Sequence, residues 1–436
     1  MRDSKTEEMR GRLADGLALA ERLGADAAKM RYRQSESMEC GFEAGRLKNT
    51  GSCQSMAYSI EVLLGKKRGA ASGNRPEDVP ALVERAVTLA KVGAAAHFDA
   101  YPAPGPTTPV KRHSAKTLSL SREKMIAACE AMVAPLKEYN PDLFLEAAAD
   151  RDEEESLLLT SGGVSRVESG TGWSLSVMAQ RTQGTDVLFA GHGRSWRDFN
   201  ALFDPAYLAE KTLLDLRRSE QFADAPKGKT AVILPPEMVR AFLWVVALGV
   251  NGRNVAKGDS PLKGRLDEQI FDPALSLTDD PHCDFSYSAC AVDADGVPTR
   301  KWNVAERGVL RHFLYDLDTA GLAKTTPTGN NGCMPYRLLA APGELPHEKL
   351  SAEIADGLWL VELVGFGQGN IINGDFSCNV GLGWRIKNGA LIGRVKDTMV
   401  AGNIYELLKN VRLSSDCDPV SGLPYMLLDG VSVSSK

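Results

Sequence analysis

Met9, Leu13, Leu17 and Ala20 recur at helical spacing, and Ser4-Lys5-Thr6-Glu7 ahead of them has capping-box form. In that motif a serine and a glutamate three residues on satisfy free amides at a helix start, so a helix is expected to run to about Leu23. After Gly24 the period changes to two. Ala28, Met30 and Tyr32 alternate with Lys29, Arg31 and Arg33; Met38, Cys40 and Phe42 form a second run, and Met56, Tyr58, Ile60, Val62 and Leu64 a third. Three half-buried strands in succession predict an antiparallel meander. The stretch 74–76 then opens a helix with Val79, Leu82, Val83, Ala86 and Leu89 on one face.

The proline-rich segment 101–109 interrupts the pattern and reads as an extended linker. Beyond it the periodicity predicts a helix near 121–139, strands around 143, 157–160, 164–168, 173–180 and 187–190, and a helix over 205–218. Ser161-Gly162-Gly163 reads as a hairpin turn. A second boundary falls at Ala225-Pro226-Lys227-Gly228. Past it, 230–234 reads as a strand, and Pro235-Pro236-Glu237 opens an apolar helix, proline being suited to the first turn. The remainder reads mostly as β: a hairpin about Glu306-Arg307-Gly308, a strand over 358–364, and a hairpin on Asn388-Gly389. A helix over 398–410 and a strand over 425–428 follow. The fold class expected is α+β: an N-terminal α/β module with an antiparallel sheet (1–100), a central α+β module (110–224) and a mostly antiparallel β C-terminal domain (227–436).

A chain of 436 residues fits this division, since single cores rarely grow so large. The net charge of −5 offers no broad basic surface, which argues against direct nucleic-acid contact. The first residues, Met1-Arg2-Asp3-Ser4, open a charged segment without the apolar core of a secretory leader. The longest apolar stretch, 241–250, is about half a bilayer span. The eight cysteines are scattered, with no C-x-x-C pair, as in a reduced compartment. The expectation is a cytoplasmic protein with no membrane contact.

Several stretches invite a chemical reading. The segment 364–389 carries seven glycines, and Gly365-Phe366-Gly367-Gln368-Gly369 suggests a phosphate loop. A dinucleotide fingerprint needs a third glycine and a following helix, and a P-loop needs G-K-[ST]; here Asn370 and Ile371-Ile372 follow instead. The glycines are therefore expected to serve positive φ or close backbone approach. The six histidines form no helical metal pair. The densest ligand-like group, Asp279-Asp280-Pro281-His282-Cys283-Asp284, is most simply a solvated turn, because neighbours in extended chain face opposite ways. The acidic run 152–155 likewise reads as a solvated turn. Asp316 and Asp318 suit a helix start. His192, flanked by glycines, is a candidate side chain for a stand-alone enzyme, with a surface-loop histidine as the simpler reading. Ser377 has no assignable histidine partner and no G-x-S-x-G elbow surrounds it.

Gly374-Asp375-Phe376-Ser377, the block Gly383-Trp384-Arg385-Ile386-Lys387-Asn388-Gly389 and Ala401-Gly402-Asn403-Ile404 occur in the order that resembles the TldD/PmbA family, also called the modulator of DNA gyrase family. Ala25-Asp26-Ala27 and Gly45-Arg46-Leu47 extend the resemblance to the N-terminal part. TldD-like members carry an H-E-x-x-x-H zinc motif on the helix after a V-x-L-x-P-E segment. That segment here is Val232-Ile233-Leu234-Pro235-Pro236-Glu237, and the motif would fall around 244–249, where the chain reads Trp-Val-Val-Ala-Leu-Gly. The resemblance is thus to the PmbA (TldE) branch. It implies no zinc and no catalytic residue in this chain, and zinc only in a TldD-like partner. It also implies a heterodimer with that partner, or a homodimer, acting on extended or unfolded peptides. Phe366, Asn370, Asp375 and Phe376 are the peptide-cleft candidates it suggests. The alternatives are a stand-alone hydrolase with an unrecognised site and a regulatory binding protein of the gyrase-modulator kind. Cys378-Asn379-Val380 after the G-D-F-S block, and Cys417 standing earlier than the family's C-terminal cysteine, depart from the pattern.

Overall fold

The computed structural model describes residues 2–200 and 204–435. The N-terminal half comprises α1 (Arg2–Arg22), β1 (Ala27–Glu43), β2 (Arg46–Leu64), β3 (Lys67–Gly73) and α2 (Val79–Ala90). It continues with α3 (Ala115–Leu118), α4 (Arg122–Tyr139), β4 (Phe144–Thr160), β5 (Ser165–Gln183), β6 (Asp186–Trp196) and α5 (Pro205–Arg218). The six strands form one sheet in the order β3-β2-β1-β4-β5-β6, every pairing antiparallel. The extended segment 101–109 does not interrupt it, because β1 before the segment pairs with β4 after it.

This sheet explains where the sequence pattern misleads. The two alternating runs at 28–33 and 38–42 are one strand. Met30 and Tyr32 enter a core with α1 and α2, whereas Cys40 and Phe42 enter another with α4. Between the two cores the polar stretch 34–37 remains paired on both sides, so alternation lapses without a turn. The acidic run 152–155 is likewise the middle of β4, not a turn. Burial pushes the Glu154 carboxyl up, yet Arg197, Arg112 and Arg33 more than offset this and hold it below its ordinary range. Nor does Ser4 cap α1, since no Gly or Pro precedes it and the helix already runs from Arg2.

The C-terminal half holds β7 (Gly228–Leu234), α6 (Pro236–Val250), α7 (Gly252–Lys257), β8 (Leu277–Asp279), β9 (Trp302–Glu306), β10 (Val309–Leu310) and α8 (Leu317–Ala323). It ends with β11 (Leu338–Ala340), α9 (His347–Ala352), β12 (Asp356–Val364), β13 (Asp375–Lys387), β14 (Ala390–Arg394), β15 (Thr398–Asn403), α10 (Ile404–Leu407), β16 (Val411–Cys417) and β17 (Pro424–Ser435). A small sheet runs β10-β9-β8-β11. In the larger one the pairings close on themselves: β12 to β7, β17, β15, β13 and back to β12. Only β12–β7 is parallel, so the domain is mostly antiparallel β as expected. α6 buries Val239, Phe242, Val246 and Val250 in this domain's core. The opposite side of the ring, with Trp359, Trp384 and Ile386, packs into the core shared with α4 and α5. That shared core joins the two halves.

The helix expected over 398–410 is instead a strand followed by one helical turn. Residues of β15 bond to both β13 and β17, and these ladders override a local helical pattern. Asn403 then caps α10, accepting from the Glu406 amide at 3.2 Å.

Candidate functional site

α6 has two faces. Opposite its buried side, Glu237, Arg240 and Trp244 are exposed, one helical turn apart, and Trp244 is 41% exposed. Neither Glu237 nor Arg240 makes a hydrogen bond or ion pair among the described residues. These side chains form one wall of a cleft of about 590 Å³ between the two halves of the molecule. The facing wall comes from β5 and β6, with loops near 286–288, 334–338 and 418–423 completing it. A smaller cavity of about 190 Å³ adjoins the cleft and shares Gly193, Arg194, Glu237 and Asp418 with it.

The walls are fixed by three arginines. Arg197, 4% exposed, donates to the carbonyls of Ser286 (3.1 Å), Tyr287 (3.0 Å) and Thr171 (3.3 Å) and to Glu154 (3.2 Å). It therefore pins the 286–288 loop to β5. Arg194 pairs with Asp418 at 2.8 Å and lies 4.2 Å over the Tyr207 ring. Asp418 also accepts from the amides of Val420 and Ser421, which folds the 418–423 loop around it. Arg337 donates to the Val420 carbonyl at 3.0 Å and packs over Trp196. Strand β6 supplies residues 193–196 to the cleft and is the last strand of its sheet. Among the described residues its outward N–H and C=O groups have no strand partner.

The four residues expected to shape a peptide cleft lie elsewhere. Phe366 stacks on Phe242 at 5.4 Å, and Phe376 meets the same ring edge-on at 5.5 Å, on the core side of α6. Asp375 is exposed and accepts from Asn403 at 2.8 Å; Asn370 is exposed before a one-turn helix over Ile371–Asn373. None of the four lines the cleft, because the cleft is on the other face of α6. The glycines among them serve conformation: Gly365, Gly367, Gly369 and Gly374 have φ of 87°, 93°, 80° and 88°. Close backbone approach is not the reason at the first three, since a Cβ there meets at most the Trp244 ring at 3.5 Å. That contact places the loop against the cleft's own tryptophan.

The other candidates resolve as follows. His192 is not on a loop: it lies within β6, its Nε2 2.7 Å from the buried Asp215 carboxylate, and it lines the smaller cavity. Asp279 is fully buried rather than solvated. Burial pushes its carboxyl up to about 6, in spite of hydrogen bonds from the Arg337 amide (2.9 Å) and Asn330 (2.7 Å). Asp280 bonds Lys301 and His282 bonds Thr299, so the 279–284 group disperses its side chains. Asp316 caps α8, and Asp318 in its first turn accepts from the His97 amide. Ser377 is exposed on β13. A group not anticipated is His347, Glu348 and Asp416, whose donor atoms lie within 4.8 Å of one another. There the His347 ring is 2.5 Å from Asp416 and stacks on Tyr425 at 4.0 Å. The cleft residues Glu237, Arg240 and Trp244 were also missed; their signal was a polar and aromatic stripe at helical spacing on an otherwise apolar helix.

Residues 227–435 match the family described as the PmbA/TldA metallopeptidase C-terminal domain. A metalloprotease of Methanothermobacter thermautotrophicus is 32% identical over 43% of this chain and 42% of its own length, so the match spans less than half of that relative. The metalloprotease PmbA of Escherichia coli O157:H7 is 22% identical over 94% of this chain and 92% of its own. TldE from Thermococcus kodakarensis, a solved structure, has the same fold: TM-score 0.88 at 20% identity, over 97% of this chain and 100% of that one.

Proposed function

The chain belongs to the PmbA/TldD family, and from that premise we propose that it is a PmbA/TldE-like subunit that holds extended or unfolded peptides and depends on a zinc-bearing, TldD-like partner to cut them. One observation carries the reading. The helix that bears the zinc motif in TldD-like members turns Arg240, Trp244 and Ala247 toward the cleft here. Zinc takes imidazole, thiolate or carboxylate ligands, and 244–249 contains none of them. That segment of the helix thus does not fit the ion, and no catalytic step through a metal is assigned to it. The cleft residues do fit a peptide. Trp244 offers a half-exposed apolar surface, Glu237 and Arg240 offer unpaired charges, and the outer edge of β6 offers main-chain bonding that tolerates any sequence.

A stand-alone hydrolase is the second reading, favoured by the His192–Asp215 pair. The nearby thiol tells against a cysteine mechanism. Burial, with Asp416 and Asp418 on either side, pushes Cys417 up, whereas a nucleophilic cysteine needs a depressed pKa. For a regulatory role on DNA the acidic balance gives no support. The test is to mix the purified chain with a TldD-like chain and follow complex formation and hydrolysis of an unfolded labelled peptide. The proposal expects a stable heterodimer and cleavage by the pair; no association, with cleavage unaffected by this chain, refutes it.

A further inference from the structure

The smaller cavity contains a cation without an ion-pair partner among the described residues. Arg218, the last residue of α5, is half-buried between two indoles, 5.8 Å from the Trp359 ring and 5.6 Å from the Trp384 ring. Among the described residues its guanidinium makes no hydrogen bond and no ion pair. Burial lowers its pKa from the usual arginine value. Lys211, two turns earlier on α5, lines the same cavity over the Tyr207 ring and also lacks a carboxylate. Three of the cavity's four acids are engaged elsewhere: Asp215 by His192 (2.7 Å), Asp416 by His347 (2.5 Å) and Asp418 by Arg194 (2.8 Å). Asp215 is near enough to attract Arg218 electrostatically, but not within ion-pair distance. Glu237 is exposed at the mouth that the cavity shares with the cleft.

A partly desolvated guanidinium with no ion-pair partner is costly, and its planar donor fork matches a carboxylate. The cavity shares Gly193 and Arg194, on the free edge of β6, with the main cleft. Its volume of about 190 Å³ admits one terminal residue and not a continuing chain. We propose that Arg218, assisted by Lys211, anchors the C-terminal carboxylate of the extended peptide that pairs with β6. This rests on the peptide-cleft reading and adds to it a polarity and an end: the peptide's last residue sits in the smaller cavity, and its preceding residues run past Arg194 toward Trp244.

A carboxylate also occurs on Asp and Glu side chains, so three N-terminally labelled alanine–leucine hexapeptides separate the sources: one with a free C-terminus, one amidated, and one amidated with Glu as its last residue. Fluorescence anisotropy on the full chain is expected to give about 10–100-fold tighter binding for the free acid than for the amide, as befits a charge-assisted hydrogen-bonded pair. Arg218→Gln should bring the free acid to the amide's affinity while leaving the amide unchanged, and Arg218→Lys should keep part of the gain. Equal affinity of free acid and amide on the unaltered chain overturns the anchor and leaves the cleft reading standing. Binding of the Glu-ended amide as tightly as the free acid overturns the C-terminal assignment in favour of an acidic side chain. Absence of binding by all three overturns both.

Discussion

The glycine-rich run gives a quantitative test of why glycine is needed at each position. Gly369 and Gly374 have nearly the same left-handed φ, 80° and 88°, but different surroundings. A Cβ at Gly369 meets nothing within 4 Å, whereas one at Gly374 falls 2.6 Å from Tyr405 Cδ2 and 3.1 Å from Asn403 Oδ1. Tyr405 cannot easily swing away. It is buried, and its hydroxyl donates to the carbonyls of Val245 and Ile372, both at 3.2 Å. Gly369→Ala should therefore cost only the left-handed backbone penalty, about 1 kcal/mol. Gly374→Ala should add an overpacking term of about 1–3 kcal/mol, for a total of about 2–4 kcal/mol. With an m-value of about 2 kcal/mol/M, the urea midpoint of the C-terminal half should fall by about 0.5 M in the first variant and about 1–2 M in the second. Tryptophan fluorescence reads this transition, since Trp244, Trp302, Trp359 and Trp384 all lie in that half. Equal midpoints for the two variants would refute the reasoning, because backbone conformation alone would then set the cost.

Three further outcomes follow from the site. Trp244→Ala should weaken binding of an extended peptide by about 10-fold, as for an aromatic anchor, yet leave the urea midpoint almost unmoved; unaltered affinity in a titration would remove Trp244 from the cleft's function. Arg197→Met leaves three carbonyls without their donor and removes one of the three arginines around Glu154, and should cost about 3–5 kcal/mol, with faster amide exchange at 285–288; unchanged exchange there would mean that Arg197 does not hold the loop. For Asp279, burial raises the carboxyl from an ordinary 3.8 to about 6. Its favourable contribution is then complete below pH 3.8 and lost as pH rises through 6, a difference of up to about 3 kcal/mol. Urea titrations of Asp279→Asn beside the unaltered chain should show a smaller loss of stability between pH 4 and 7 in the variant; parallel curves would contradict the assignment.

Much of the fold was legible where one segment meets one core. The alternation at 56–64 matches the observed strand, and the apolar stripe of α2 matches its buried face except at Leu89, which is exposed. So does the Asn388-Gly389 hairpin, whose two residues have φ of 48° and 78°. What escaped was long-range. β1 and β4 each pass from one core to another, so their polar middles at 34–37 and 152–155 resemble turns locally. The strand at 398–403 is decided by ladders to β13 and β17, which no local window contains. The candidate site followed the same rule. The G-D-F-S block is distinctive as sequence, yet it packs Phe376 behind α6, and the cleft is built by side chains distant along the chain: Arg194, Trp244, Tyr287, Arg337 and Asp418. Sequence spacing reports neighbours on one element; it does not report which faces of separate elements meet.

The proposed function has this chain grip peptides and leave zinc chemistry to a TldD-like partner. The most direct test is metal analysis of the isolated chain, purified in zinc-containing buffer, together with hydrolysis of an unfolded peptide by that same sample. The expected result is peptide binding, no stoichiometric zinc and no turnover until a TldD-like chain is added. Stoichiometric zinc with full hydrolysis by the isolated chain would contradict it.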